Sequence, residues 1–205
     1  MEENERIVAT VKEPVGDEVG VAGDAYMGWS VQYAKQMVER LEPYDMAWIE
    51  EPVIPDDIDG YAAVRGAAPM PIAGGEHEFT RWGHKELLER DAVDILQPDI
   101  HRCGGLTELL RIDAMASARD VPVIPHTGTN PHLHFIAAST NSPMAEYFPV
   151  PTWFKERQSG PDETTYADAI YADPPQTDDG TIPLPSGNGL SAALNREAIE
   201  HFAVE

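Results

Sequence analysis

The sequence predicts an α/β fold in which parallel strands alternate with covering helices. Short apolar runs alternate with amphipathic stretches from residue 1 to about 150, and the units repeat at roughly 22 to 27 residues, the length of one strand plus one helix. No Gly-x-Gly-x-x-Gly or P-loop pattern follows any apolar run. The fold is then either an open doubly wound sheet or a (β/α)8 barrel, and that absence weakens the nucleotide-binding open sheet.

Taken in order, Glu3–Glu13 places Ile7, Val8 and Val11 at helical spacing and stops near Gly16. Val19–Ala22 reads as a buried strand ending at Gly23-Asp24. Ser30 suits the cap of a helix whose Val31, Ala34, Met37, Val38 and Leu41 share one face, and the strand-like Met46–Ile49 follows it. Asp56–Val64 reads as a helix and Met70–Ala73 as the next strand. Thr80–Arg90 is expected to be a helix with Trp82, Leu87 and Leu88 inward, ahead of a strand at Val93–Leu96. Gly105–Arg119, with Leu106, Leu109, Leu110 and Met115, is the clearest helix, and Val121–Ile124 reads as the strand after it. Pro131–Ser139 is a shorter helix and Met144–Phe148 a last, weak strand.

Beyond residue 150 the texture changes to proline, glycine and acid, in PTWFKERQSGPDETTYADAIYADPPQTDDGTIPLPSG. A loop-rich extension is expected over residues 151–205, closing with a short helix at Asn195–Phe202. Residues 1–150 then form the unit of alternating strands and helices, and residues 151–205 the extension.

The 205 residues hold 14 basic and 36 acidic side chains, a formal charge of −22. Such a surface repels phosphate backbones and anionic lipids, which excludes nucleic-acid and membrane-surface partners. At 42% hydrophobic the chain has material for a core, which excludes a wholly disordered acidic segment. Lysine occurs only at Lys12, Lys35, Lys85 and Lys155. That bias is expected of a halophilic protein in a salt-rich cytoplasm, the alternative being an ordinary acidic protein. No apolar run approaches the roughly 20 residues of a membrane span, and MEENERIVATV lacks the basic flank of a signal peptide, so a cytoplasmic protein is expected. The single Cys103 excludes an intrachain disulfide and a cysteine-built metal site.

What ends each strand is the informative feature. Just past the apolar runs stand Asp24, Glu50, Glu76, Asp99, His126 and Glu146 in turn. Parallel strands of a barrel all open on one face, where active sites are built, so these six side chains are expected to converge there. Three carboxylates on successive strands, Asp24, Glu50 and Glu76, suit a hard divalent cation, Mg²⁺ by default. Asp99 and His126 on adjacent strands suit a dyad in which the carboxylate holds one imidazole nitrogen and makes the other more basic. Glu146 is placed to meet a substrate oxygen. With 36 acids in the chain, one carboxylate after one strand is common by chance, and His77, Glu78 and Glu51 are close rivals of Glu76 and Glu50; the case rests on the ordered set.

The strings GDAYMGW, WIEEPVIPDD, GGEHEFTRWG, DILQPDIHRCGGLTE, VPVIPHT, NSPMAEY and DGTIPLPSGNGLSAALN resemble the mandelate racemase branch of the enolase superfamily over nearly the whole chain. MGWS ahead of a Tyr-Ala helix, GEHE-T-RWG and CGGLTELLRI are most similar to L-rhamnonate dehydratase-like acid-sugar dehydratases. The resemblance implies that Asp24, Glu50 and Glu76 ligate Mg²⁺, that His126 is the general base with Asp99 as its partner, and that Glu146 contacts the enediolate. It also gives His77 and Trp29 to the substrate. Members of the superfamily stabilise an ene-diolate with a Lys or His base and Mg²⁺.

The same resemblance implies an N-terminal capping domain and two further barrel strands that should precede Glu2, so strands three to eight are expected here. The family's usual Pro-Gly-Leu-Gly reads Gly-Asn-Gly-Leu-Ser at Gly187–Ser191. The implied activity is a hydro-lyase reaction, dehydration of an aldonate such as L-rhamnonate to a 2-keto-3-deoxy acid. Racemisation or cycloisomerisation is the near alternative, and an inactive truncated or split-gene product the distant one. A small-molecule carboxylate is the expected partner, with a homo-oligomer when complete or a missing N-terminal half.

Overall fold

The computed structural model describes residues 1–148, 171–172, 175–201 and 203. Residues 151–170 of the expected extension lie outside the described residues. The chain divides into two compact units, Met1–His126 with Ser139–Pro143, and Thr127–Ala138 with Met144–Glu205.

The first unit opens with helix α1 (Glu2–Val15), then alternates β1 (Gly23–Asp24), α2 (Val31–Leu41), β2 (Ile49–Glu50), α3 (Ile58–Arg65), β3 (Ile72–Gly74), α4 (Thr80–Glu89) and β4 (Ile95–Leu96). A short α5 (Ile100–Cys103) and a longer α6 (Leu106–Ser117) complete it. The four strands lie in sequence order in one parallel sheet, with Asp24 level with Glu50, Ile49 with Ile72 and Ala73 with Ile95. Each connection carries a helix, as parallel neighbours require.

Local chemistry explains the elements. Ser30 caps α2 by accepting from the Tyr33 amide, and Ala34, Met37, Val38 and Leu41 bury one face at the spacing of a helix. Asp57 caps α3 through the Gly60 amide. Ile49, Ile72, Leu96 and Val123 fill the core of the sheet. Behind it, Tyr61 of α3 is packed so close to β3 that a Cβ on Gly74 would stand 3.0 Å from the ring, which is why a residue without a side chain sits there.

Four expectations are corrected. Hydrogen-bonded pairing falls at the C-terminal end of each apolar run or just past it, so β1 is Gly23–Asp24 rather than Val19–Ala22. Val121–Ile124 contributes one isolated parallel bridge, Val123 to Leu96, with the Leu96 amide donating to Pro122 O and the Ile124 amide to Leu96 O. Trp82 is 61% exposed, because the face of α4 that turns inward is His84, Leu87 and Leu88; the indole instead lies under the Arg81 guanidinium at 5.0 Å. Met144–Phe148 forms no strand, since no described strand pairs with it.

The second unit contains α7 (Asn130–Ala138) and α8 (Arg196–His201). Among the described residues no helix is long and apolar enough to cross a membrane.

Candidate functional site

The sheet register places Asp24 beside Glu50 at the ends of β1 and β2, and Glu76 stands two residues beyond β3. Glu50 and Glu76 are buried while Asp24 is exposed. Asp24 Oδ1 accepts from the Tyr26 amide at 2.7 Å, closing the turn that follows β1. Glu50 Oε2 accepts from Gln97 Nε2 at 2.7 Å and Trp48 Nε1 at 3.1 Å. Burial holds the Glu50 carboxyl above the usual carboxylate range; the Gln97 and Trp48 bonds oppose this, and the charges of Asp24 and Glu76 add to it.

Asp99 sits three residues past β4 and divides its oxygens. Oδ1 accepts from the His101 amide at 2.7 Å and so caps α5, while Oδ2 lies 3.0 Å from His126 Nδ1. That contact fixes which imidazole nitrogen turns outward, and His126 Nε2 lies 3.5 Å from Glu76 Oε2. The dyad and the carboxylate set therefore adjoin. Arg102, one turn into α5, reaches Glu76 Oε1 at 3.3 Å and Asp99 Oδ2 at 3.9 Å.

The other expected residues have partners of their own. Trp29 packs its ring against Tyr33 with centroids 5.6 Å apart, and its amide donates to Pro52 O. His77 Nδ1 lies 2.8 Å from Glu51 Oε1, with its ring edge-on to Tyr26. Glu146 belongs to the second unit, where its Oε2 accepts from the Thr127 amide at 2.7 Å.

Sequence reasoning missed Gln97, Arg102 and the partnership of Glu51 with His77. Gln97 carried a signal, a lone amide closing the apolar run DAVDIL. Arg102 carried none beyond its charge. Glu51, a close rival of Glu50 in the sequence, has a φ of 41° that breaks the alternation of a regular strand.

The donor set tests whether a cation fits. Asp24, Glu50 and Glu76 offer carboxylate oxygens only, and Glu50 is desolvated yet held by neutral donors, with no lysine or arginine on it among the described residues. An oxygen-seeking divalent ion fits this set.

The chain matches a family model described as enolase C-terminal domain-like over residues 1–198. It is 35% identical over 207 residues to D-galactarolactone cycloisomerase of Agrobacterium fabrum, covering 98% of this chain and 54% of that protein. It is 34% identical over 189 residues to L-rhamnonate dehydratase of Saccharopolyspora erythraea, covering 91% and 47%. The crystal structure of L-talarate dehydratase from Polaromonas sp. JS666, complexed with Mg and L-glucarate, superposes with a TM-score of 0.83 at 28% identity, covering 97% of this chain and 51% of that one. The chain thus spans about half the length of the relatives it matches.

Proposed function

The chain belongs to the enolase C-terminal domain-like family, and on that premise we propose that it carries the metal-binding and proton-transfer groups of a Mg²⁺-dependent acid-sugar dehydratase. The substrate is an aldonate of the L-rhamnonate class and the product a 2-keto-3-deoxy acid. Asp24, Glu50 and Glu76 would hold the cation. When bound, Mg²⁺ supplies positive charge beside the substrate carboxylate, where negative charge grows during the reaction.

His126 Nε2 takes the proton from the carbon next to the carboxylate, and the C–H electron pair moves into the carboxylate as an enediolate. Asp99 Oδ2 holds the Nδ1 hydrogen, which aims the Nε2 lone pair and stabilises the imidazolium that forms. That imidazolium then gives its proton to the β-hydroxyl as the C–O bond breaks, water departs, and the enol tautomerises to the keto acid. Glu146 meets an enediolate oxygen, and Trp29 and His77 meet the sugar.

One observation carries this reading: His126, backed by Asp99 at 3.0 Å, presents its other nitrogen to Glu76 at 3.5 Å, so the base and the metal-side carboxylates border one reacting centre. Similarity to a cycloisomerase supports a second reading with the same first proton transfer; whether the substrate loses water separates the two. Calorimetry with Mg²⁺ on the 205-residue chain is expected to show one site abolished by Glu50→Gln. Unchanged binding in Asp24→Asn, Glu50→Gln and Glu76→Gln alike overturns the assignment.

A further inference from the structure

We propose that Glu51, Glu76 and His77 form a second cation site beside the first, selective for a transition metal of the zinc type rather than for Mg²⁺. One ligand atom from each of the three residues falls within 4.8 Å of the others. His77 Nδ1 lies 2.8 Å from Glu51 Oε1 and 3.5 Å from Glu76 Oε1. Ligands roughly 2.0–2.1 Å from a tetrahedral Zn²⁺ stand about 3.3 Å apart, a value the two distances bracket.

An independent feature marks the cluster as built for a ligand. Glu51 is only 1% exposed, and its Oε2 is buried with no hydrogen-bond partner, so half of a fully desolvated carboxylate is uncommitted. The Glu51 backbone adopts a φ of 41°, a left-handed conformation that non-glycine residues rarely take, while its amide is pinned to Ala73 O. That conformation breaks the strand alternation immediately after Glu50, and the side chain meets His77. The imidazole is held in turn against the Tyr26 ring.

The chemistry of the two donor sets divides the metals. Asp24, Glu50 and Glu76 offer oxygen alone, which suits Mg²⁺, whereas an imidazole nitrogen with two carboxylates and an open position suits Zn²⁺ or Co²⁺. Glu76 is common to both sets. A zinc-type ion on Glu51 and His77 therefore draws Glu76 away from the oxygen-only set and antagonises Mg²⁺.

The test uses the 205-residue chain stripped of metal, with Zn²⁺ and Mg²⁺ titrated separately by calorimetry and Co²⁺ followed by its visible absorption. His77→Gln is expected to weaken Zn²⁺ at least about tenfold, no less than the loss of an outer-sphere partner, to alter the Co²⁺ spectrum, and to weaken Mg²⁺ by a smaller factor than Zn²⁺. Asp24→Asn should do the reverse. Glu51→Gln should follow His77→Gln; if circular dichroism shows it unfolded, the partly exposed His77 decides alone. Zn²⁺ binding that is indifferent to His77→Gln, or that is lost in Asp24→Asn instead, overturns the proposal. Zn²⁺ behaving as expected while Mg²⁺ fails to bind removes the dehydratase reading and leaves this site standing.

Discussion

The mouth of the sheet and the helical layer behind it bury different things. At the strand ends Glu50, Glu51, Glu76 and Asp99 are all buried within a few residues of one another along the ladder. The helical layer buries Met37, Val38, Leu41, Tyr61, Leu109 and Ile112, together with the imidazole of His84. Desolvating charge costs far more than desolvating a hydrocarbon, so a fold bears it only where something offsets it. The helical layer is what a stable sheet needs. The mouth carries the candidate site, and there Gln97, Trp48, Arg102 and the caps of short turns hold the carboxylates.

The largest expected effect lies at the mouth. In this chain joined to the remaining half of an active relative, His126→Asn should lower dehydration and solvent-deuterium exchange at the α-carbon together, by about 10²–10⁴-fold. Asp99→Asn should leave a residual rate, because it removes orientation and basicity without removing the base. Exchange that survives in His126→Asn would require another base and would break the contrast between the two regions.

In the helical layer the corresponding change is steric. Gly74→Ala places a methyl 3.0 Å from Tyr61 Cε1 and 3.2 Å from its hydroxyl oxygen, and Tyr61 is buried too tightly to swing away. Overpacking of this kind costs about 1–3 kcal/mol. Urea denaturation should show the midpoint lowered in Gly74→Ala, with far-UV circular dichroism of the native state unchanged. An unaltered midpoint would mean that the layer yields more readily than its packing indicates.

The two regions also differ in how far the sequence announces them. The amphipathic face of α2 was readable because Ala34, Met37, Val38 and Leu41 recur at helical spacing ahead of a serine cap. The order of Asp24, Glu50, Glu76 and Asp99 was readable because β1 to β4 lie in sequence order in one parallel sheet, which presents its strand ends on one side. What was hidden depends on dihedral angles and on single turns. α5 spans four residues, too few for any periodicity, and exists because Asp99 caps it. Glu51 changes face through one left-handed residue, which no pattern of polarity signals. Trp82 is expected inward, yet it is His84, two residues further along α4, that turns in, a polar side chain whose burial depends on the Thr80 carbonyl that accepts from its Nδ1 at 2.7 Å.

The smallest expected effect comes from that histidine, and it runs against the mouth in sign. Burial holds the His84 imidazole below its ordinary value of 6.5, although the Thr80 carbonyl favours the cation. Below that pH the unfolded chain binds a proton that the fold does not, so stability is complete above about pH 6.5, falls as the pH drops, and levels off once the folded imidazole is also protonated; the slope for one such group is at most about 1.4 kcal/mol per pH unit. Glu50 behaves oppositely: burial raises its carboxyl above 4.5, the fold binds the extra proton, and its contribution is lost as the pH rises through the raised value. Urea midpoints between pH 7.5 and 5 in wild type and in His84→Leu separate the two contributions, since the carboxyls at the mouth are common to both proteins. The wild type should lose stability toward pH 5 relative to His84→Leu. Parallel pH curves for the two would show that the buried imidazole does not govern the acid limb, and would move the pH sensitivity of this fold from the helical layer to the carboxylates at the mouth.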